Sequence, residues 1–214
     1  MNVEDFLVIG MSPGNGYFKQ EVIDRILKKY SDEYLNLGIF IPDVPAISTY
    51  LALGYSENIA RGKKAIPQGN NFKNRVKRSI KNQNLNESHI LVFDWQKENI
   101  ENNNDYKKEY NYVKNLYFTN KDFEKDINQA TKNVLIENPF KKKSIELSDI
   151  QIGTHYILSE FAFMKFLPKY LKQYNKFIYG YHKEWDVFEK FINGFYDDNK
   201  KDNLVFLKIQ DFSY

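Results

Sequence analysis

Short apolar runs alternate with longer segments of helical spacing along the first half of the chain. Apolar residues run from Phe6 to Ile9, and from Phe18 to Tyr30 they recur with helical periodicity. A short apolar run bounded by turn residues predicts a buried strand, and spacing of three or four residues predicts a helix. For this half we predict strands over 5–11, 35–41 and 88–93, helices over 18–31 and 44–54, and a basic helical region over 56–83 that is interrupted near 67–69.

The second half of the chain is predicted to be mostly helical. A polar, Asn-rich stretch over 96–109 indicates a surface loop. A further break is expected over 138–143, and Ser148 is a suitable N-cap for the helix that follows. The remaining predicted elements are helices over 106–117, 120–136, 148–173 and 183–193, and strands over 177–181 and 204–209.

This alternation of elements predicts the fold class. Strands that alternate with helices form βαβ units, which build a mainly parallel sheet flanked by helices. The chain has 214 residues, 42% of them hydrophobic, which is enough for one sizeable core. No internal repeat or convincing linker divides the sequence, so we predict a single α/β domain over 1–214.

Composition excludes several classes of protein. No apolar run approaches the roughly 18 residues of a membrane span, and Glu4 and Asp5 stand where a secretory signal would be basic. The chain has no cysteine, which excludes disulfides, thiolate catalysis and zinc–thiolate sites and fits a cytoplasmic protein. The three histidines lack the spacing of metal ligands, so we expect no metal site.

A serine, Ser12, follows the first predicted strand. Ligands of open α/β sheets bind beyond the carboxyl ends of the strands, so Ser12 is a candidate nucleophile. Gly10, Ser12 and Gly14 also match the nucleophile turn of α/β-hydrolases. Pro13 argues against a hydrolase, because the residue after that nucleophile supplies an N–H to the oxyanion hole. That turn also normally follows several strands, but a serine hydrolase remains an alternative prediction.

A basic stretch without acidic residues extends from Asn58 to Asn86. Asn74, Lys77, Arg78 and Lys81 fall three or four residues apart and share one helical face. Such a face suits the phosphates of a nucleic acid, although most charged helices are simply solvated. A noncatalytic RNA-binding domain is therefore a second alternative. The basic residues of the stretch are Arg61, Lys63, Lys64, Lys73, Arg75, Lys77, Arg78 and Lys81.

Two further pairs of polar residues stand beside apolar runs. Tyr156 and Glu160 are four residues apart and share one face of the long predicted helix. A carboxylate is expensive to bury without a cation or donors, so Glu160 either binds an ammonium group or faces water at the helix edge. Tyr181 and His182 follow an apolar strand, where either a functional pair or ordinary packing would fit.

Taken together, these residues resemble the signature of the cyclodipeptide synthase family. The family pairs an N-terminal Gly-x-Ser-x-x-Asn turn with a later Tyr-x-x-x-Glu helix and a Tyr-His or Tyr-Pro pair. The segment 49–55 and the basic stretch after it are also similar to the family, whereas Gly16 stands where the family often has a serine. The matching residues, which indicate the Asn-Tyr-His subgroup, are Gly10, Ser12, Asn15, Tyr156, Glu160, Tyr181 and His182.

The resemblance implies a monomeric, Rossmann-like domain similar to the catalytic domains of class I tyrosyl- and tryptophanyl-tRNA synthetases. It implies a cytoplasmic aminoacyltransferase without a cofactor, which uses two aminoacyl-tRNAs for each cyclic dipeptide. The reaction would pass through an aminoacyl ester of Ser12 and then a dipeptidyl-enzyme. The chain lacks the His-Ile-Gly-His and Lys-Met-Ser-Lys-Ser signatures of those synthetases, so ATP activation of an amino acid is not expected.

The resemblance also implies roles for particular residues. Glu160 and Tyr156 would hold the amino nitrogen of the bound aminoacyl group, and Tyr181 would relay a proton. The supporting residues would be Gly10, Asn15 and His182. Two aminoacyl pockets would be lined by residues near Val8, the segment 40–44, Phe163 and Tyr179. The phosphates of tRNA would be bound by Lys73, Arg75, Lys77, Arg78 and Lys81.

Overall fold

Five parallel strands form one sheet at the centre of the molecule. The computed structural model of the chain describes residues 5–138, 144–197 and 204–212. The strands stand in the order β3-β2-β1-β4-β5, and every neighbouring pair is parallel. This order confirms the predicted α/β, Rossmann-like fold class. The strands are β1 (Asp5–Gly10), β2 (Asn36–Phe40), β3 (Ile90–Phe93), β4 (Lys176–Tyr181) and β5 (Leu204–Lys208).

Helices cover both faces of this sheet. Alternate side chains of β1 enter different layers: Phe6 and Val8 pack into one apolar cluster, and Leu7 and Ile9 pack into the other. A short π-helix over Ala60–Ala65 precedes the basic helix. The helices are α1 (Gln20–Glu33), α2 (Ala46–Ala52), α3 (Glu57–Ile59), α4 (Ile66–Asn82), α5 (Asn104–Thr119), α6 (Lys121–Glu137), α7 (Leu147–Tyr170) and α8 (Asp186–Ile192).

The two layers differ in which helices they contain. Buried side chains of α1 and α4 pack on one face of the sheet with Leu7 and Ile9. Buried side chains of α2, α5, α6, α7 and α8 form the larger cluster on the other face. Within the described part of the chain, no helix is both long enough and apolar enough to cross a membrane.

Several predicted boundaries were wrong, and local backbone chemistry explains them. Pro67 does not interrupt the basic helical region: it lies in the first turn of α4, which continues directly from the π-helix Ala60–Ala65. The predicted loop over 96–109 ends early, because the Asn103 side chain accepts hydrogen bonds from the backbone and caps α5. Helix α7 is capped by Glu146 and Asp149 rather than by Ser148. The predicted break over 138–143 lies almost wholly outside the described residues.

The strand order places a crevice between β1 and β4. The chain moves from β1 outward to β2 and β3, and then returns to the other side of β1 to form β4 and β5. Ligands of open α/β sheets bind beyond the carboxyl ends of the strands at such a reversal of order. Ser12 follows the end of β1, and Tyr181 is the last residue of β4.

Candidate active site

The turn that carries Ser12 is fixed by its backbone. Met11 N–H donates to the Phe40 carbonyl at 2.8 Å, which extends the pairing of β1 with β2 by one bond. The N–H of Asn15 then donates to the Ser12 carbonyl at 3.1 Å and closes a tight turn. Gly14 has a φ of +82°, a left-handed conformation that favours glycine. This turn therefore places Ser12 at the crevice between β1 and β4.

Two tyrosines from other elements meet the Ser12 hydroxyl. The Tyr156 hydroxyl, on α7, donates to Ser12 Oγ at 2.8 Å. The Tyr181 hydroxyl, at the end of β4, lies 3.2 Å from the same oxygen. The described residues include no histidine that hydrogen-bonds to Ser12, so the arrangement differs from a Ser-His pair.

Glu160 lies one helical turn beyond Tyr156 and is buried, with 3% of its surface exposed. Its Oε1 is 3.2 Å from the Tyr156 hydroxyl. Burial raises the pKa of Glu160 to about 8, although the hydrogen bond from Tyr156 opposes the shift. A buried carboxylate of this kind is stabilised strongly by a cation that enters beside it.

Tyr156 links the acid to the nucleophile. A phenol has one proton, so Tyr156 donates either to Ser12 or to Glu160, not to both at once. When Glu160 is protonated it can donate to Tyr156, which leaves the phenolic proton for Ser12. When Glu160 is ionised it accepts the hydrogen bond from the Tyr156 hydroxyl, and the Tyr156 oxygen can then accept one from the Ser12 hydroxyl. The protonation of Glu160 therefore sets the direction of the hydrogen bond at the nucleophile.

Both tyrosines stay protonated near neutral pH. Burial, followed by the charge of Glu160, raises the pKa of Tyr181 to about 12. The same two causes raise the pKa of Tyr156 well above its usual value. Each hydroxyl can therefore donate to an oxygen or relay a proton without being ionised at rest.

Asn15 and His182 support the turn from one side. Asn15 Nδ2 lies 3.4 Å from His182 Nε2, and Asn15 Oδ1 accepts from the Tyr17 N–H at 2.9 Å. The Tyr17 ring stacks on His182 with a centroid distance of 4.3 Å. Burial, followed by the charge of Lys183, lowers the pKa of His182 to about 4, so the imidazole is neutral at physiological pH.

A cavity of about 630 Å³ opens at Ser12. The Ser12 turn, Tyr156, Glu160 and Tyr181 line it. Its lining also includes residues of α6 that the sequence prediction did not single out, although their spacing of three and four residues along a predicted helix was a usable signal. These α6 residues are Asp126, Gln129, Ala130, Asn133, Val134 and Glu137.

The three residues predicted to line the aminoacyl pockets lie in the core of the structure. Val8, Phe163 and Tyr179 are almost wholly buried and do not line this cavity. Helix α7 covers that face of β1 and β4, so their inward side chains pack into the core; Phe163 stacks on Phe40 at 4.0 Å. Gly10 has a packing role here, because a Cβ on Gly10 would lie 2.3 Å from the Tyr179 hydroxyl oxygen.

The predicted tRNA-binding residues divide between the two sides of α4. Lys77, Arg78 and Lys81 are exposed. Arg75 is half-buried, and its Nη1 donates to the Phe18 carbonyl at 2.9 Å.

Lys73 does not belong to the exposed group, which corrects the prediction. It is buried, and its Nζ lies 2.8 Å from Asp43 and 3.1 Å from Asp94. Burial alone lowers the pKa of Lys73, but hydrogen bonds and charges of the two carboxylates more than offset this and raise it. An ammonium held by two carboxylates is not available to a phosphate.

Comparison with known proteins gives a consistent result. A family model described as cyclodipeptide synthase matches residues 1–206. A search of curated proteins gave no significant match.

Solved structures provide the remaining comparisons. A cyclodipeptide synthase from Bacillus thermoamylovorans has a TM-score of 0.81 at 18% identity, covering 98% of this chain and 90% of that one. A Mycobacterium tuberculosis protein, reported to relate cyclodipeptide synthetases to type I tRNA synthetases, has a TM-score of 0.70 at 19% identity, with 86% and 76% covered. The synthase of Candidatus Glomeribacter gigasporarum bound to Phe-tRNAPhe has a TM-score of 0.58 at 16% identity, with 97% and 92% covered.

Proposed function

The chain belongs to the cyclodipeptide synthase family, and from this premise we propose that it takes both aminoacyl groups from aminoacyl-tRNAs and joins them on Ser12. It is an enzyme that makes cyclodipeptides. The proposal adds the donor, the covalent intermediates and the residues that carry them. We further propose that residues 1–214 act as one catalytic domain, as a cytoplasmic monomer, with two aminoacyl-tRNAs used for each product.

The observation that carries the proposal is the hydrogen-bonding of Ser12. Its oxygen is contacted by two tyrosine hydroxyls, at 2.8 and 3.2 Å, at the mouth of a cavity large enough for small-molecule groups. A hydroxyl becomes a nucleophile when neighbouring groups can accept its proton and return it to the leaving group.

In the first half-reaction, Ser12 Oγ bonds to the carbonyl carbon of the aminoacyl ester. The bond from that carbon to the terminal ribose oxygen of the tRNA breaks, and the serine proton ends on the ribose oxygen. Tyr181, 3.2 Å from Ser12 Oγ, is placed to relay this proton. The products are an aminoacyl ester of Ser12 and free tRNA, which is the ping-pong pattern of covalent catalysis.

Glu160 and Tyr156 hold the amino group of the bound residue. A substrate ammonium beside Glu160 supplies the cation that this buried carboxylate lacks and thereby lowers its pKa. Transfer of a proton from the ammonium to the carboxylate would free the amine for the next step.

In the second half-reaction, the amine held on Ser12 attacks the ester carbonyl of a second aminoacyl-tRNA. A peptide bond forms and the second ribose ester bond breaks. The proton lost by the amine ends on the ribose oxygen, the second tRNA leaves, and the dipeptide stays on Ser12. The new terminal amine then attacks the Ser12 ester carbonyl. This closes the six-membered diketopiperazine ring and returns the proton to Ser12 Oγ, a step that proximity favours.

The exposed basic residues of α4 supply the tRNA contact. Lys77, Arg78 and Lys81 can pair with phosphates without losing any internal ion pair that the structure describes. The neighbouring structure from Candidatus Glomeribacter gigasporarum is bound to Phe-tRNAPhe, which supports an aminoacyl-tRNA as the partner here.

The test is the isolation of the acyl-enzyme. Pure protein is incubated with aminoacyl-tRNA that carries a labelled amino acid, quenched in acid and mapped by mass spectrometry. We expect label on Ser12 of the wild-type protein and of Ser31→Ala, a control at a half-buried serine of α1. Ser12→Ala should carry none and should release no diketopiperazine. Product formation by Ser12→Ala would rule out covalent catalysis at this residue.

A further inference from the structure

The first turn of helix α4 contacts the turn that carries Ser12. The Tyr50 hydroxyl, on α2, donates a hydrogen bond to Gln68 Oε1 in the first turn of α4. Both groups lie against Gly14: a Cβ on Gly14 would be 2.8 Å from Gln68 Oε1 and 2.8 Å from the Tyr50 hydroxyl oxygen. Gly14 is the left-handed residue of the turn, two positions after Ser12.

A second contact with α4 holds the other end of this segment. Arg75 Nη1 donates to the Phe18 carbonyl at 2.9 Å, and Gln20 Nε2 donates to the Arg75 carbonyl at 3.1 Å. The segment from Gly14 to Gln20 is therefore tied to α4 at two points. Asn15, within that segment, is bonded to the β4 side of the crevice through His182.

We propose that Gln68 and Tyr50 are positioning residues that hold Gly14 and thereby set the place of Ser12 Oγ. The proposal rests on the proposed function, in which Ser12 is the nucleophile. Without this pair, the turn has room to shift toward α4, away from the tyrosine hydroxyls that contact Ser12. A displacement of about 1 Å at a reacting atom can cost on the order of 100-fold in rate.

The location of Gln68 also connects the Gln68–Tyr50 pair with the proposed tRNA-binding residues. Gln68 belongs to the same helix as Lys77, Arg78 and Lys81, the residues proposed to contact tRNA. The residues proposed to bind tRNA and Gln68, which holds Gly14, therefore belong to one helix.

The test compares two substitutions of Gln68. Gln68→Met keeps the length of the side chain but removes the acceptor, whereas Gln68→Glu keeps an oxygen that can accept from Tyr50. At saturating aminoacyl-tRNA, we expect Gln68→Met to lower the single-turnover rate of Ser12 acylation about tenfold or more, with tRNA affinity within about twofold. Gln68→Glu should restore most of the rate. Asn71→Met, at an exposed position of α4, is the matched control and should acylate like wild type.

A double-mutant cycle provides an independent measurement. Tyr50→Phe should lower the acylation rate as Gln68→Met does, and the double variant should be no slower than either single variant, because both lose the same hydrogen bond. If Gln68→Met proves unstable in urea, Tyr50→Phe and Gln68→Glu decide the question. Wild-type rates in Gln68→Met and Tyr50→Phe, or additive losses in the double variant, would overturn this inference. Failure of the wild-type protein to be acylated at Ser12 would instead overturn the proposed function.

Discussion

The cavity wall at Ser12 and the outer face of α4 both present polar atoms, but they hold them in opposite ways. At Ser12, the side chains of Tyr156 and Glu160 are buried, those of Ser12 and Tyr181 are half-buried, and all four are linked by hydrogen bonds. On the outer face of α4 each cation stands exposed. The first region fixes a geometry, and the second supplies charge.

This difference determines how each region responds to mutation. A buried polar group that loses its partner carries the full cost of desolvation, so one substitution has a large effect. Exposed charges act additively and are screened by salt, so each one contributes a small share. Helix α4 contains residues of both kinds, because Lys73 is buried whereas the other lysines of this helix are exposed.

The largest expected effect tests the buried region. Glu160→Gln keeps the shape of the side chain but removes the negative charge that would hold the substrate ammonium. We expect Ser12 acylation to fall roughly 100-fold or more, measured by single-turnover kinetics. Glu101→Gln, at an exposed carboxylate, serves as the control. An unchanged acylation rate would remove Glu160 from the reaction.

The pH dependence of stability tests the buried state of Glu160. Because burial raises the pKa of Glu160 to about 8, the folded protein binds a proton between about pH 4.5 and 8 that the unfolded chain has released. The free energy of unfolding should therefore decrease as pH rises through this window, by several kcal/mol at most. Glu160→Gln should flatten this slope in urea titrations at a series of pH values. The same slope in both proteins would show that Glu160 ionises freely in the fold.

The next effect compares two lysines of one helix. Lys73→Met leaves Asp43 buried without its cation, and we expect a loss of about 3–5 kcal/mol in the free energy of unfolding. Lys77→Met, four residues later on the exposed face, should change it by less than about 0.5 kcal/mol. Equal effects in urea unfolding would contradict the division of α4 into a buried and an exposed side.

A smaller effect per residue is expected on the exposed face. Reversing the charge of Lys77, Arg78 or Lys81 should each weaken tRNA binding severalfold and reduce the slope of log affinity against log salt by about 1. Lys108→Glu, on α5 against the opposite layer, is the control for a change of net charge. Filter binding at a series of salt concentrations measures both quantities, and an unchanged slope would remove this face from the tRNA contact.

The smallest effect is expected at the support of the turn. His182→Phe keeps an aromatic ring against Tyr17 but removes the nitrogen that Asn15 meets at 3.4 Å. We expect Ser12 acylation to fall only a few fold, because the turn keeps its backbone bonds and its contacts with α4. Because the pKa of His182 is lowered to about 4, wild-type stability should decline as pH falls below about 6.5, and this decline should be weaker in the variant. A loss as large as that of Glu160→Gln would give His182 a direct part in the reaction.

Local patterns in the sequence were sufficient for the fold class and for one spatial relation between candidate site residues. The alternation of strands and helices predicts the parallel sheet, and the sequence places Ser12 and Tyr181 each at the carboxyl end of a predicted strand. The spacing of Tyr156 and Glu160 predicts that they share a helical face, and the structure joins them by a hydrogen bond. These relations depend on neighbours along the chain, which is why the sequence contains them.

Relations between distant segments could not be predicted in this way. Helical spacing groups Lys73 with Lys77. Asp43 and Asp94, which follow β2 and β3, come close to Lys73 only in the folded chain. The same holds for α6, whose polar side becomes a cavity wall only when it packs opposite the Ser12 turn. Val8 and Tyr179 are apolar enough for a pocket, but α7 covers them.

The contact between Gly10 and Tyr179 constrains how this protein can change. The phenol of Tyr179 occupies the space that any side chain at position 10 would need, since even a methyl group would stand 2.3 Å from its oxygen. Gly10 could therefore be replaced in evolution only after a smaller residue had replaced Tyr179. Substitutions at positions 10 and 179, on two neighbouring strands, are therefore expected to occur in a fixed order.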